Sequence, residues 1–254
     1  MRNRSQNRQV ATISFSGIDG AGKTTQILAL CALLERHGKC VRVIRFWDEV
    51  ATMTAMREKA AHRIFKGDKG VGSPSAPIER RDKNVQSSAM TLIRLAVYLF
   101  DVLSLRRVIR RASRSSSDCI IFDRYVFDEL ANLNLRNPAV RVCIRFILRL
   151  VPRPDIGFLL DADPVQARAR KPEYPIDFLY NNRLSYRLLS ELTGCLTAIP
   201  ALPVHQVEQE IRNHVLARLS LFRDPALSGE GRGPAQRPDA SEPQDGPQTR
   251  PATS

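Results

Sequence analysis

Short apolar runs alternate along the chain with longer stretches in which apolar residues recur every three or four positions. Residues 119–122 (Cys-Ile-Ile-Phe) form an uninterrupted apolar run of the kind found in buried parallel strands. Residues 25–36 instead place Ile27, Leu30 and Leu34 on one side of a helix. By these criteria we predict five strands, over residues 10–16, 41–46, 119–122, 156–160 and 196–199.

Helical patterns occupy the intervals between these strands. Pro138 and Pro164 stand where a helix starts, a position that proline favours because its missing N–H is not needed there. Helices are predicted over residues 25–36, 53–65, 85–111, 138–150, 178–192 and 204–221, with a shorter one opening at Pro164. Strands that alternate with helices predict an α/β fold, in which a five-stranded parallel sheet is flanked by helices.

Three segments lack such patterns. Residues 66–84 are rich in glycine, proline, serine and charge, which indicates a mobile loop. Residues 1–9 are polar and basic and lack the apolar core of a signal peptide. Beyond Arg223 large apolar residues almost disappear, as is typical of disordered chains. We therefore predict one domain over residues 10–222, with disordered ends at 1–9 and 223–254.

Composition narrows the class of protein without indicating a reaction. The net charge of +13 would suit nucleic acid, but no basic motif interleaved with aromatic residues is present, so we do not expect a nucleic-acid site. The apolar stretch 92–109 is interrupted by charged residues and predicts a core helix, not a membrane span. The five cysteines are widely spaced, which favours reduced thiols in a cytoplasmic protein over a disulfide framework.

The most specific motif lies between the first strand and the first helix. Residues 17–24 read Gly-Ile-Asp-Gly-Ala-Gly-Lys-Thr, which matches the Gly-x-x-x-x-Gly-Lys-[Ser/Thr] phosphate-binding loop. Its glycines let backbone N–H groups surround a polyphosphate, and the following helix N-terminus adds partial positive charge. The lysine reaches the β- and γ-phosphates, and the threonine hydroxyl holds Mg²⁺. We assign nucleotide binding to Gly17, Asp19, Gly20, Ala21, Gly22, Lys23, Thr24 and Thr25.

Two further strands end next to residues that could bind a metal, a phosphate or a base. Asp123 follows the apolar run 119–122, where an acid beside a phosphate loop can hold Mg²⁺ together with Thr24. The neighbouring Arg124 can bind an anionic acceptor through two parallel hydrogen bonds. Trp47, the only tryptophan, ends the second strand and is equally suited to stacking on a base or to packing.

Two helical regions provide further candidates. Arg94, Tyr98 and Asp101 share one face of the long helix, where they would either line the acceptor pocket or form an amphipathic edge. Arg141, Arg145 and Arg149 of the helix 138–150 are four apart and predict a solvated face. Segment 168–176 contains Arg168, Arg170 and two prolines, and is either a lid over the transferring phosphates or an exposed basic turn.

On these motifs the sequence resembles the thymidylate kinase family of P-loop nucleoside monophosphate kinases. The resemblance is carried by residues 15–26 around the phosphate loop, by Asp123-Arg124-Tyr125, and by Asp161-Ala162-Asp163-Pro164 with the arginines after it. It implies a three-layer P-loop NTPase fold, Mg²⁺-ATP as donor and a nucleotide as acceptor. A homodimer is left open.

The resemblance also implies roles for individual residues. Lys23 and Thr24 would serve the donor phosphates and Mg²⁺, Asp123 would support the metal, and Arg124 would hold the acceptor phosphate. Asp19 would face the acceptor sugar. Because Gly20 stands where some members of the family carry arginine, the lid arginines Arg168 and Arg170 would neutralise the transferred phosphoryl group.

The sequence departs from the family in the acceptor-base and lid motifs. Val102 and Leu103 stand near the place of the pair that reads thymine, and residues 171–175 replace the usual lid pattern. We predict phosphoryl transfer from Mg²⁺-ATP to a nucleoside monophosphate. The alternatives are a kinase of a nucleoside or other small metabolite, an ATPase or switch without acceptor, and a nucleic-acid-binding protein with a degenerate kinase core.

Overall fold

A computed structural model of the protein describes residues 10–51 and 88–218. Within these ranges five strands form a single sheet, and every adjacent pair is parallel. The spatial order is β2-β3-β1-β4-β5, so the strand that precedes the phosphate loop is central. The strands are β1 (Ala11–Ser16), β2 (Val41–Arg45), β3 (Cys119–Asp123), β4 (Ile156–Asp161) and β5 (Leu196–Pro200).

Helices cover both faces of this sheet. The first and last described helices contact each other on one face, and the remaining helices contact one another on the opposite face. The predicted three-layer α/β fold with five parallel strands is therefore confirmed. The helices are α1 (Lys23–Arg36), α2 (Ser88–Ala112), α3 (Val126–Leu130), α4 (Pro138–Leu150), α5 (Pro164–Arg170), α6 (Ile176–Thr193) and α7 (Val204–Arg218).

Some element boundaries differ from the prediction. The second strand ends at Arg45 because Phe46 already belongs to a single π-helical turn, Phe46–Val50. Helix α1 begins two residues earlier than predicted, at the end of the phosphate loop, and α6 begins at Ile176. The short helix α3 was not predicted. The predictions for residues 1–9, 53–65, 66–84 and 223–254 lie outside the described residues.

The core is apolar and lies mostly between the sheet and the α2–α6 layer. Residues 119–122 of β3 are fully buried, as the uninterrupted apolar run indicates, because helices pack on both faces of a parallel strand. The rings of Phe15 and Phe158 pack across β1 and β4, with centroids 5.2 Å apart. Across residues 10–51 and 88–218, no helix combines the length and hydropathy that a membrane crossing requires.

The two ends of the parallel strands carry different groups. At the amino edge, Asp155 accepts hydrogen bonds from the backbone and hydroxyl of Thr12, at 2.7 and 2.8 Å. At the carboxyl edge, the three adjacent strands β3, β1 and β4 end at Asp123, Ser16 and Asp161. Ligands of open parallel sheets bind beyond this carboxyl edge, so the fold brings the predicted motifs to one place.

Candidate functional site

The phosphate loop connects β1 to α1 through glycines in left-handed conformations. Gly17, Gly20 and Gly22 have φ values of 145°, 82° and 91°, a region that residues with side chains rarely adopt. Two of them also lie against backbone. A β-carbon would lie 2.6 Å from the Leu160 carbonyl oxygen at Gly17, and 2.2 Å from the Ala167 carbonyl oxygen at Gly20. The loop therefore requires glycine at both positions.

Lys23 is buried at the start of α1 and points back into this loop. Its ammonium group donates hydrogen bonds to the carbonyl oxygens of Gly17 and Ile18, at 2.7 and 2.9 Å. Burial, together with the positive charge of Arg124, lowers the pKa of Lys23 to about 8, although nearby carboxylates act in the opposite direction. The protonation of the Lys23 amine therefore depends on the anions around it. Thr24 and Thr25, next along α1, are exposed.

Arg124 follows β3 and meets the phosphate loop. Its φ of 71° is the only positive value on a non-glycine residue in the described ranges, and such strain is concentrated at functional sites. Its backbone N–H donates to the carbonyl of Phe15 at 3.1 Å, and its guanidinium forms a partly buried ion pair with Asp19. Burial alone would lower the pKa of Arg124, but Asp19 and Asp128 raise it above its ordinary value.

The structure also brings residues to this site that the sequence did not indicate. Asp128 and Tyr186 are buried beside Arg124, and Asp128 lies 3.9 Å from the guanidinium. Asp128 is an acid on an apolar helix four residues after Arg124, and that spacing is the one signal that could have identified it. Tyr186 lies 58 residues further along the chain, so its proximity follows only from the packing of α6.

Helix α5 lies against the phosphate loop. Asp163 caps it by accepting a hydrogen bond from the backbone of Gln166 at 3.0 Å, and proline follows at its first position. Arg170 donates to the carbonyl of Gly20 at 3.1 Å, which places one predicted lid arginine on the loop itself. Arg168 is half-buried on the same helix. Past the helix, residues 172–174 are buried, and the function of this segment as a lid stays a prediction.

Asp161 ends β4 and binds two arginines of α6. Arg183 approaches it at 2.5 Å and Arg187 at 2.6 Å. Although partial burial opposes the effect, these hydrogen bonds and charges lower the pKa of Asp161. A small cavity opens beside this acid and the phosphate loop, between the carboxyl ends of β4 and β5. It is lined by Ala21, Leu160, Gln166, Arg170, Ile199 and Leu202, among others.

The predicted acceptor residues outside the loop have different environments. Trp47 lies in the π-helical turn after β2, with its ring edge-on to Phe46 at 6.4 Å. Tyr98 and Asp101 are buried in α2, whereas Arg94 is half-buried. Because Tyr98 belongs to the core cluster, packing accounts for its burial. A role in the acceptor pocket for these four residues stays a prediction.

A larger cavity, of about 250 Å³, lies away from the phosphate loop. Its walls include Arg153 and Cys195, which precede β4 and β5 and therefore mark the amino edge of the sheet. Arg145 and Arg149 of α4 also line it. Both are exposed and Arg141 is half-buried, so the predicted solvated face holds for most of this stripe.

Comparison with known proteins supports the resemblance to thymidylate kinases. The chain is 27% identical over 214 residues to a probable thymidylate kinase of Methanosphaera stadtmanae, covering 82% of this chain and 99% of that protein. It is 26% identical over 219 residues to a probable thymidylate kinase of Archaeoglobus fulgidus, covering 84% and 98%. No family model matches the chain. The alignments span nearly the whole length of both relatives, so the predicted resemblance is confirmed.

Solved structures agree at the level of the fold. The thymidylate kinase of Candida albicans superposes with a TM-score of 0.55 at 14% identity, covering 82% of this chain and 92% of that one. The enzyme of Ehrlichia chaffeensis superposes with a TM-score of 0.50 at 20% identity, covering 81% and 98%. The chain therefore shares the overall fold of these two proteins.

Proposed function

We propose that this protein transfers the γ-phosphoryl group of ATP to a nucleoside monophosphate, and that dTMP is the first acceptor to test. The observation that carries the proposal is the presence of two cations, buried Lys23 and partly buried Arg124, around one glycine loop at the carboxyl edge of the sheet. Lys23 is bonded to the carbonyls of Gly17 and Ile18 in this loop, and Arg124 is paired with Asp19 of the same loop. One cation suits a donor triphosphate and the other an acceptor phosphate.

The donor half of the site is the phosphate loop. Three left-handed glycines shape this loop, and its backbone N–H groups and the start of α1 would bind a polyphosphate. Lys23 would exchange its bonds to the carbonyls of Gly17 and Ile18 for bonds to phosphate oxygens, which would raise its pKa and fix its charge. The cavity between β4 and β5 adjoins the loop at Ala21 and is where we place the base of the donor.

Thr24 and Asp123, the predicted Mg²⁺ ligands, suit a metal that is held mainly by substrate phosphates and water. Thr24 is exposed at the start of α1, and Asp123 is half-buried at the end of β3. Within the described ranges, no three His, Cys, Asp or Glu side chains gather as a metal cluster, so protein ligands alone would not form a closed cage. Mg²⁺ commonly takes one or two protein oxygens together with substrate phosphates. Thr24 and Asp123 would hold it, and its charge would neutralise the donor phosphates.

The acceptor half is formed by Arg124 and Asp19. Arg124 would bind the acceptor phosphate, and Asp19, paired with it, would face the sugar. A bond would form between an acceptor phosphate oxygen and the γ-phosphorus while the bond to the β-phosphate oxygen breaks, leaving ADP. No general base is needed, because a phosphate oxygen is already ionised at neutral pH. Arg170, and Arg168 on the same helix, would stabilise charge on the transferring group.

The relatives favour this function over the alternatives, because the names they bear are those of kinases with a nucleotide acceptor. A hydrolase without acceptor would not need the partly buried Asp19–Arg124 pair beside the loop. We also propose a cytoplasmic location, which the free cysteines in the described residues and the nucleotide substrates support.

Whether the chain assembles as a homodimer can be measured by analytical ultracentrifugation.

A panel of acceptors tests the proposal. The protein is incubated with Mg²⁺-ATP and, separately, dTMP, dUMP, dCMP, AMP, GMP or thymidine, and both ADP and the phosphorylated product are quantified. With dTMP, we expect the amount of nucleoside diphosphate formed to exceed the amount of free phosphate released. Lys23→Ala should abolish the product, whereas Lys39→Ala, a lysine outside the loop, should retain it. Phosphate release that is independent of the acceptor would instead identify an ATPase.

A further inference from the structure

A buried carboxylate lies directly behind the acceptor arginine. Asp128 is only 4% exposed on the short helix α3. One of its oxygens accepts a hydrogen bond from the hydroxyl of Ser16 at 2.7 Å and from the backbone N–H of Tyr125 at 2.9 Å. These bonds attach the start of α3 to the end of β1, immediately before the phosphate loop.

The second oxygen of Asp128 is bound by Tyr186 of α6. The tyrosine hydroxyl donates to it at 2.7 Å, and both groups are buried. Burial, and next the charge of Asp128, raise the pKa of Tyr186 well above its ordinary value, so the hydroxyl keeps its proton and donates at every working pH. With three donors, the carboxylate is fixed in position and in orientation.

This same oxygen lies 3.9 Å from the guanidinium of Arg124. As the third residue of α3, Asp128 accepts a hydrogen bond from the backbone of the N-cap residue Tyr125, a role that a neutral amide side chain can also fill. A buried carboxylate is costly unless a cation and hydrogen bonds compensate it, and Arg124 is the cation placed to do so. Arg124 is thus held between Asp19 on one side and Asp128 on the other.

We infer that Asp128 and Tyr186 are positioning residues for the acceptor: Tyr186 fixes the Asp128 carboxylate, which holds the Arg124 guanidinium where it receives the acceptor phosphate. The inference rests on the proposed function. Neither residue need touch the substrate. Because Tyr186 belongs to α6 and Asp128 to α3, the position of Arg124 depends on how these two helices pack.

Tyr186→Phe is the sharpest test, because it removes one hydrogen bond and leaves the charge of Asp128 in place. We expect kcat/KM for the nucleoside monophosphate to fall about tenfold, with the KM for ATP within about twofold of wild type. Tyr180→Phe is the matched control, since Tyr180 is an exposed tyrosine of the same helix, and it should behave as wild type. Acceptor affinity measured by calorimetry without ATP should weaken in parallel.

Asp128→Asn provides a second, stronger perturbation. It removes the charge that faces Arg124 and should lower acceptor kcat/KM more than Tyr186→Phe does. It should also raise the KM for ATP, because the Asp128 charge helps keep Lys23 protonated. The melting temperatures of both variants, measured at nucleotide concentrations below saturation, check that the kinetics compare folded proteins.

The outcomes separate the inference from the function on which it rests. If Tyr186→Phe has the same acceptor kcat/KM as Tyr180→Phe, the positioning role is wrong while the kinase function stands. The same conclusion follows if Tyr186→Phe impairs the kinetics for ATP and for the acceptor equally and also lowers the melting temperature. If the wild-type protein phosphorylates no acceptor of the panel, the function itself is wrong and the positioning role is lost with it.

Discussion

The protonation of Lys23 gives the first prediction at the scale of a single residue. Its pKa is lowered to about 8, so the amine of the free enzyme loses its charge as pH rises above that value. Bound triphosphate stabilises the charged form, so saturated enzyme should resist this loss. We expect the KM for ATP to rise several-fold between pH 8 and pH 9, with kcat nearly constant.

Initial rates at several ATP concentrations from pH 6.5 to 9.5 would measure this dependence. The KM for the acceptor serves as an internal control, because Arg124, whose pKa is raised, stays charged throughout the range. An ATP KM that stays constant up to pH 9.5 would show that Lys23 is not in contact with the donor phosphates.

The second prediction concerns Gly20, which is in contact with α5. In Gly20→Ala, the new β-carbon would lie 2.2 Å from the carbonyl oxygen of Ala167, so the loop and α5 must separate. Gly38→Ala is a matched control, because Gly38 has a similar positive φ but nothing within 4 Å. Each alanine should destabilise the fold by about 1 kcal/mol through φ strain.

Only Gly20→Ala should also raise the KM for ATP, by about tenfold, since the clash moves the phosphate loop or Arg170. Differential scanning calorimetry on the two variants measures the loss of stability from φ strain. The KM for ATP of each variant measures the displacement of the phosphate loop. Equal kinetics in Gly20→Ala and wild type would mean that the contact between α5 and the loop is dispensable for binding ATP.

At this scale the sequence predicted the placement of those candidate residues whose position depends on local order. The phosphate loop is a contiguous motif, and Asp123 and Arg124 directly follow an apolar strand, so their positions follow from short-range patterns. Asp128 and Tyr186 approach each other across 58 residues, and no local pattern encodes that approach. The left-handed backbone of Arg124 was likewise unpredictable, because a non-glycine residue adopts it only when its surroundings impose it.

At the scale of elements, the junction between β4 and α6 depends on one acid with two arginines. Arg183 and Asp161 are partly buried, whereas Arg187 is about half exposed. Exposed ion pairs contribute little because water screens them. We expect Arg183→Ala to lower the free energy of unfolding by about 1 kcal/mol, and Arg187→Ala to lower it less. Arg145→Ala, an exposed arginine of α4, is the control for general loss of charge.

The pH dependence of this junction has a defined sign. The pKa of Asp161 is lowered in the folded protein, so its contribution is present above the ordinary carboxyl pKa and is lost as pH falls through the folded value. Urea unfolding at pH 7 and at pH 3 should therefore show a smaller difference between wild type and Arg183→Ala at the lower pH. An equal difference at both values would argue that Arg183 acts by packing alone.

Element boundaries were predictable where a chemical signal marks them. Asn137 and Pro138 start α4 at the predicted residue, because the asparagine side chain accepts a hydrogen bond from Ala139. Helix α3 has five residues, too few for a helical period to be recognised. The turn at Phe46–Val50 was predicted partly as strand, since Phe46 continues the apolar pattern of β2 while its backbone already coils.

At the scale of the whole molecule, we expect the parallel sheet to keep the proposed catalytic residues separate from the hydrogen bonds at its amino edge. All adjacent strands are parallel, so their carboxyl ends bring Lys23, Asp123 and Arg124 to one edge. The amino edge has structural bonds, such as those between Thr12 and Asp155. This separation follows from the alternation of strands and helices, and it was therefore predictable from the sequence.

Substitutions at the two edges should accordingly have opposite effects. Asp155→Ala removes hydrogen bonds to the backbone and hydroxyl of Thr12, and should lower the free energy of unfolding by about 1–2 kcal/mol while leaving kcat/KM within about twofold of wild type. Lys23→Ala should abolish transfer and leave the fold no less stable, because it removes a buried charge. Denaturant unfolding and the kinase assay, run on both variants, test this separation. A large kinetic defect in Asp155→Ala would show that the two edges are coupled through β1 and β4, and that the sheet is not a rigid support for the site.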